Sequence, residues 1–465
     1  MPEITGRPVS LEEILDAREQ RAERQRTARE QFPGAALVSF TLNIAGPVKL
    51  FALAEQSFQE GCRSIARQFE RNRVAVQFYK TCIQPAGCEA LWAVDCDPLR
   101  LKALMCAVED GGRLGRLFDI DVLNPEGEIL SRTGLGIPRR RCLICDRPAR
   151  ECARSRAHSP ELLWHETNRI MREYFTEKRA DEIAAMAGKS LLYEVSTTPK
   201  PGLVDRANSG AHHDMDLFHF IDSSAALIPH FRQLFLMGVR HAQDSPQRLF
   251  GCIRYPGMLA EDAMFAATKG VNTHKGLIFS LGILCAALGY SFANALPCDT
   301  GTLLSLCGKM TSLSVKQDLD RVTAQNARTF GERLYLQTGS TGIRGEAASG
   351  FPSVRHYGLP ALRRFMAEGK SLNDAGALTL LTLLGHVEDT NVISRRGLRA
   401  AQSVREEAAE RMAREPLPEL DEIRVLDQRF IRENISPGGC ADLLAITFML
   451  YFLEQEAQDT ANGEK

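Results

Sequence analysis

At 465 residues the chain exceeds one typical domain, so two or three are expected. A formal net charge of −1 lacks the basic excess that general nucleic-acid or membrane-surface binders carry, so neither partner is expected. The 13 cysteines, odd in number and with no secretory signal across Met1 to Ser10, read as reduced thiols of a cytoplasmic protein rather than a disulfide framework.

The elements follow in order. Ser10 to Gln31 has mixed charge with Leu11, Ile14 and Leu15 at helical spacing, which predicts an amphipathic or solvated helix. Ala36 to Ile44 is rich in β-branched and aromatic residues and predicts a strand, ended by Gly46-Pro47. A helix is predicted from Phe51 to Phe69, strands at Val74–Tyr79 and Glu89–Asp95, and a helix at Pro98–Val108. This alternation predicts an α/β or α+β first part. In Phe118-Asp-Ile-Asp-Val122, alternation puts Phe118, Ile120 and Val122 on one face and Asp119 and Asp121 on the other. Carboxylates two residues apart sit about 7 Å from each other and can flank Mg²⁺ on a substrate's phosphates; the bland reading is a solvated strand face.

Cys142, Cys145, Cys152 and His158 have a spacing that can ligate zinc, but only one Cys-x-x-Cys is present, and reduced structural thiols are the favoured reading. Arg139, Arg140, Arg141, Arg147, Arg150, Arg154 and Arg156 form a basic cluster that suits an anionic ligand or acidic partner, or a solvated face. The polar stretch Ser159 to Lys178 marks the domain boundary. Beyond it helical patterns dominate: Asp181–Leu192, Asp216–Ala242, Pro256–Ala267, Leu277–Tyr290, Gly301–Leu313, Leu359–Glu368, Ala375–His386, Arg399–Arg414 and Cys440–Glu454. The apolar runs Leu277–Tyr290 and Ala441–Leu453 fall short of a membrane span and are predicted to be buried helices.

Ser196 to Met215 is a proline- and glycine-punctuated loop carrying Lys200, Asp205, His212, His213 and Asp214 among apolar residues. Charges in a partly buried loop need partners, and a ligand rich in phosphate and hydroxyl groups supplies them. Gly270 to Gly276 and Ser436 to Asp442 each precede an apolar helix, where free amides favour anions. Glu388-Asp-Thr-Asn391 places acids after a helix C-terminus, an electrostatic cost that suggests a metal or partner. Gly342 to Glu346 and Gly350 to Arg355 are expected to be ordered loops.

These residues carry a resemblance over nearly the whole chain. Pro199 to Asp205, Asn208 to His212 with Asp214-Met215, Gly270 to Gly276, Gly342 to Glu346 and Ser436 to Asp442 resemble the triphosphoribosyl-dephospho-CoA synthases. Phe40 to Ile44 with Gly46-Pro47 and Lys49, Gly115 to Val122, and Cys142 to His158 resemble the apo-citrate lyase phosphoribosyl-dephospho-CoA transferases, with Ala45 standing where that family has a proline. The resemblance implies an α/β, nucleotidyltransferase-like transferase domain over 1–165 and a larger all-α synthase domain over 166–465.

It also implies two reactions. ATP and 3′-dephospho-CoA give the triphosphoribosyl product and adenine; the phosphoribosyl-dephospho-CoA group then passes to a serine of the apo acyl-carrier (gamma) subunit of citrate lyase, releasing diphosphate. Mg²⁺ on Asp119 and Asp121 suits the second reaction, and the arginine cluster is its docking surface for an acidic carrier. For the first, Asp205, Asp214, Glu261, Glu346, Asp389 and Asp442 are candidates for base or Mg²⁺ ligand, and His212 or His274 for proton transfer. Lys200, Gly202, Asn208, Asn272, Thr273, Lys275, Gly276, Arg344, Gly438 and Gly439 are candidates for holding substrate and phosphate. The competing readings are a nucleotide N-glycosyl hydrolase and a zinc-bearing interaction protein.

Overall fold

The computed structural model describes residues 6–463; residues 1–5, on which part of the Met1 to Ser10 reading falls, and residues 464–465 lie outside that description. Two compact units divide the chain, the first ending at Lys178 and the second starting at Arg179.

The first unit contains α1 (Leu11–Gln31), β1 (Ala36–Leu42), α2 (Ala52–Arg71), β2 (Ala75–Gln84), β3 (Gly87–Asp95), α3 (Pro98–Asp110), β4 (Phe118–Leu123) and α4 (Ala149–Ser155). A capping box between Ser10 and Glu13 starts α1, and Asp97 with Pro98 starts α3. The strands lie in the order β2-β3-β1-β4, and every pairing is antiparallel. Of the two arrangements the sequence allowed, this is α+β: a β-α-β-β-α-β chain order in a split βαβ sheet. No parallel neighbours form, because the short Pro85-Ala86 turn folds β2 back on β3 as a hairpin.

Alternation along the strands sorts two faces. Val38, Phe40, Trp92, Ile120 and Val122 join α2 and α3 in the main core. Leu37, Leu91, Ala93 and Leu123 pack with Ala28 of α1 in a smaller cluster on the other face. β4 is an edge strand, yet its outer backbone is not left open. Lys102 Nζ donates to the Ile120 carbonyl at 2.8 Å, and the Ile120 amide donates to Glu109 Oε1 at 3.1 Å. Two buried side chains of α3 thus stand in for a neighbouring strand.

The helix α5 (Pro160–Ser196) carries the boundary between the units. The second unit is helical: α6 (Leu217–Arg240), α7 (Pro246–Ala267), α8 (Lys275–Asn294), α9 (Thr300–Asp320), α10 (Phe330–Thr338) and α11 (Gly342–Ala348) come first. They are followed by α12 (Leu359–Ala367), α13 (Leu372–His386), α14 (Thr390–Arg396), α15 (Leu398–Met412), α16 (Leu420–Arg432) and α17 (Gly438–Gly463). Three local expectations change. α7 starts ten residues before Pro256, because Ser245 caps it and Leu249, Phe250 and Ile253 bury one face across the proline. The Gly342 to Glu346 stretch is a helix, and Gly350 to Arg355 runs from Pro352 into helical turns that include the π turn Val354–Gly358, where ordered loops were expected. The acids after α13 are not electrostatically stranded, because Asp389 is the N-cap of α14.

By length and hydropathy α8 passes as a membrane span, contrary to the sequence reading, but 72% of that window is buried inside the protein. Glycines let α6 run backbone-to-backbone against it. A Cβ on Gly238 would lie 2.1 Å from the Ala286 carbonyl oxygen, and one on Gly289 would lie 2.0 Å from that of Phe235. This contact fixes the axis of α8 and hence the position of its N-terminus. Gly289→Ala should therefore cost about 1–3 kcal/mol through overpacking. Gly251→Ala, on α7 with open space around it, should cost nothing or stabilise through helix propensity. Urea unfolding of both variants checks this; equal midpoints would rule out the backbone contact.

Candidate active site

A cavity of about 160 Å³ opens in the second unit where four segments meet. The end of α5 with its following loop brings Glu194, Lys200 and His212; the N-terminus of α8 brings Asn272 to Gly276; α14 brings Asn391 and Arg395; the start of α17 brings Ser436, Gly438 and Asp442. His274 occupies the N-cap position of α8 without a capping bond of its own; Asn272 Oδ1 accepts the Lys275 amide at 3.3 Å, and the helix start carries its partial positive charge. Lys200 is 1% exposed and is paired with the buried carboxylate of Glu194.

Two polar atoms at this wall lack any partner: His274 Nε2 and Thr273 Oγ1. His274 is 1% exposed, its Nδ1 bonded to Ser223 Oγ at 2.7 Å and its ring edge-on to Phe220. Burial, with Lys200 nearby, pushes its pKa down to about 3, so the ring is neutral. His212 is also neutral, held down to about 4 by burial and by Arg395. One Arg395 guanidinium nitrogen lies 3.2 Å from His212 Nδ1 and 3.5 Å from its Nε2, and Nε2 shares a hydrogen bond with Ser436 Oγ at 2.8 Å.

The carboxylates behave oppositely. Burial raises Glu194, with Lys200 opposing the shift. Asp442 is raised well above the usual range by burial, then by Glu194 and Asp389. Gly276 makes room for it, since a Cβ there would lie 1.9 Å from Asp442 Oδ2.

The cavity therefore gathers Lys200, His212, Asn272, Thr273, His274, Lys275, Gly276, Gly438 and Asp442 from among the sequence candidates. Lys275 is exposed and pairs with Glu261 at 2.8 Å. Asp214 lies outside, 67% exposed, 3.8 Å from His212. Others have structural partners. Asp205 accepts the amides of Lys200, Ala207 and Asn208 and so shapes the loop. Gly202 and Asn208 both donate to Asp427, at 2.8 and 2.9 Å. Asp389 accepts the amides of Asn391, Val392 and Cys440, tying α14 to α17 directly behind Gly439. Glu346 accepts the Ser353 amide and hydroxyl. Arg344 and Glu261 line a different cavity of about 300 Å³. Sequence reasoning missed Glu194, Arg395 and Ser223. Glu194 sits one helical turn and a loop before Lys200, and a buried lysine's need for a counter-charge was the available signal.

In the first unit, Asp119 and Asp121 share one face of β4, opposite Phe118, Ile120 and Val122. Across the sheet, Thr41 stands between Asp119 and Glu89, and Ser39 stands beside Asp121. α1 covers this face: Arg21 and Arg24 pair with Glu89, and Gln25 donates to Ser39 at 2.9 Å. Arg21 also feels both aspartates. Burial, then Asp119, raises Asp121. Cys142, Cys145, Cys152 and His158 converge, with ligand atoms all within 4.8 Å of one another. Of the arginine cluster, Arg140 turns inward, donating to the carbonyls of Gly115, Arg116 and Phe118, so it does not belong to an exposed docking surface.

Comparisons with known proteins divide the chain at the same helix. A family model described as ATP:dephospho-CoA triphosphoribosyl transferase (CitG) matches residues 180–461. One described as apo-citrate lyase phosphoribosyl-dephospho-CoA transferase (CitX) matches residues 9–174. Protein CitXG of Leuconostoc mesenteroides subsp. cremoris is 34% identical over 96% of this chain and 97% of its own length. Protein CitXG of Haemophilus influenzae is likewise 34% identical, over 96% and 97%. The 2-(5″-triphosphoribosyl)-3′-dephosphocoenzyme-A synthase of Pectobacterium atrosepticum is 42% identical over 62% of this chain and 94% of its own. The chain belongs to the CitXG family of bifunctional transferases, in which a CitX segment precedes a CitG segment in one polypeptide.

Proposed function

We propose that the second unit joins ATP to 3′-dephospho-CoA at the cavity between α5, α8, α14 and α17. The observation that carries this reading is the pair of unpartnered atoms, His274 Nε2 and Thr273 Oγ1, at the α8 N-terminus beside Lys200 and Asp442. Such atoms await a polar ligand, and the α8 N-terminus with Lys200 and Lys275 favours a triphosphate. The 2′-hydroxyl of dephospho-CoA attacks the anomeric carbon of the ATP ribose. The bond to adenine breaks, and adenine leaves with that electron pair and takes up a proton. Asp442, with its raised proton affinity, accepts the hydroxyl proton. His274 Nε2, neutral and facing the cavity, hydrogen-bonds the substrate. Glu194 is a hard oxygen donor at this wall that fits Mg²⁺ carried on the triphosphate, which would supply charge neutralisation.

The first unit then transfers phosphoribosyl-dephospho-CoA to the serine of the apo acyl-carrier subunit. The serine oxygen bonds to the phosphorus nearest the ribose, the bond to the next phosphate breaks, diphosphate leaves with that electron pair, and the hydroxyl proton passes to solvent. Asp119 and Asp121, adjacent on one strand face, fit Mg²⁺ on the departing phosphates, and Arg21 offsets their charge. The nucleotidyltransferase-like reading of this unit rests on that carboxylate pair. The exposed Arg139, Arg141, Arg147, Arg150, Arg154 and Arg156 suit an acidic carrier. The unpaired cysteines suit a cytoplasmic enzyme.

Three outcomes test this. Asp442→Asn should lower kcat of triphosphoribosyl synthesis by about 10²–10⁴ with KM for ATP little changed, as loss of a general base does. Gly276→Ala, which pushes on the same carboxylate, should lower kcat in the same direction. A kcat within a few-fold of the parent in Asp442→Asn would remove this residue from the chemistry.

The second outcome is a pH dependence. The parent's acidic limb should lie above the ordinary aspartate range near about 4, because burial raises Asp442, and activity should fall as pH falls through it. A raised folded-state pKa favours folding below the unfolded pKa, and that contribution is lost as pH rises through the folded value. Asp442→Asn should therefore lose the acidic limb and melt at neutral pH no lower than the parent. A lower neutral-pH melting temperature would contradict the burial argument.

Third, Asp119→Asn or Asp121→Asn should abolish carrier labelling while triphosphoribosyl-dephospho-CoA accumulates in a coupled assay. Normal labelling by both variants, read by mass spectrometry of the carrier, would exclude the carboxylate pair.

A further inference from the structure

Between Leu123 and Thr167 the chain buries only two residues, Cys142 and Cys152. This stretch has one short helical turn at Arg132–Leu135, α4 and the first turns of α5, and no apolar cluster of its own. A segment so poor in buried apolar surface needs another source of order. Its fold nonetheless closes around its sulfurs. The Cys142 amide donates to the Arg147 carbonyl at 2.8 Å, and the Ala149 amide donates to that of Arg140 at 2.9 Å, forming a tight knuckle. Within the knuckle the Ile144 amide points at Cys142 Sγ at 3.5 Å. α4 carries Cys152 to the opposite side, and Arg156, in a left-handed conformation at its C-cap, turns the chain so that His158 comes back.

We propose that Cys142, Cys145, Cys152 and His158 hold one structural zinc ion that fixes this segment against β4. The geometry decides between the two ways of joining sulfurs. Cys145 Sγ lies 3.5 Å from Cys152 Sγ and 3.4 Å from His158 Nε2. A disulfide requires about 2.05 Å. Tetrahedral zinc with bonds of about 2.0–2.3 Å puts ligand atoms roughly 3.4–3.8 Å apart. Three sulfurs and one imidazole complete that tetrahedron and leave no open position, so the ion's role is structural. The sequence spacing favoured free thiols because it offered one Cys-x-x-Cys; the second half of the site comes from α4 and the turn after it.

The consequence falls on β4. Arg116 reaches into the knuckle, donating to the Arg141 and Cys142 carbonyls at 2.7 and 3.1 Å. Arg140, at the knuckle's base, donates to the Phe118 carbonyl at 2.5 Å, one residue before Asp119. The zinc thus holds the strand end that carries the carboxylate pair, an effect on activity that rests on the transferase reading above.

The test begins with metal content, which is independent of that reading. Full-length protein grown with zinc and dialysed against chelator should hold about one zinc per chain, released on titration with a thiol-binding mercurial. Cys145→Ser should hold under a tenth of that. His158→Cys should keep it, since four thiolates also bind zinc, whereas a merely packed histidine would give no such rescue. Exchange of cobalt into the site should give a thiolate-to-cobalt charge-transfer band. In Cys145→Ser, amide exchange should speed up in 139–158, and carrier labelling should fall while triphosphoribosyl synthesis is kept. Zinc below a tenth of an equivalent in the parent, a Cys145–Cys152 disulfide found by mass spectrometry, or iron in place of zinc would each overturn the site. One zinc with unchanged labelling in Cys145→Ser would leave the metal in place and overturn its effect on β4.

Discussion

Lys200 and Glu194 are buried together, and the cavity is built around that fact. Each ion loses hydration worth several kcal/mol on burial, and a single pair rarely recovers it. Here the attraction does not fully compensate, because Glu194 is still raised despite Lys200. Asp442 adds a second carboxylate that Glu194 disfavours in its ionised form. The strain is electrostatic and local, at the place where two helix N-termini begin. A charged ligand entering beside these groups would shift this balance.

Carboxylates in this protein divide by what saturates them. Asp205 and Asp389 each accept three backbone amides, a set that fills the favourable directions around a carboxylate. Asp427 holds an amide and the Asn208 side chain. These residues are spent on geometry: Asp205 and Asp427 fold the loop after α5, and Asp389 joins α14 to α17. Asp442 has no such amides and faces the cavity beside Gly276. The distinction is between a carboxylate whose lone pairs are occupied by the backbone and one whose lone pairs are available.

That distinction also marks the limit of what was legible in the chain. Periodicity placed β1, β3, β4, α1, α2, α3, α6, α8 and α13 within a few residues, whereas α5, α9 and α17 run well beyond the patterned part of their sequence. The glycine- and lysine-bearing stretch before α8 and the start of α17 read as anion-binding helix starts, and both line the cavity. The acids did not sort themselves. Asp205, Asp389 and Asp442 look alike along the sequence, and only the fold shows which meet amides. α7 was shortened because Pro256 outweighed Leu249, Phe250 and Ile253 in a local reading. α16 was missed although Ile423, Leu426 and Phe430 bury one face, since the charges between them masked the stripe. Glu194 was hidden for the opposite reason: in the last turn of α5 it looks like any helical glutamate until Lys200 is found buried beside it.

In the first unit the same accounting of polar groups explains why Asp119 and Asp121 keep their face. Side chains in a strand alternate, so a slip of one residue in the pairing of β4 with β1 would turn both aspartates into the core and Ile120 out of it. Edge strands resist such slips poorly, because only one side is paired. β4 is held on its other side by Lys102 and Glu109 at Ile120, by Arg140 at Phe118, and by the Leu130 amide, which donates to the Val122 carbonyl at 2.9 Å. These bonds recur at every second residue, on the positions that point into the core. They oppose each residue whose neighbour is an aspartate or a core side chain, and a one-residue slip would break all of them at once. The outer edge of β4 is therefore as register-specific as a paired strand, and the placement of the two aspartates follows from it.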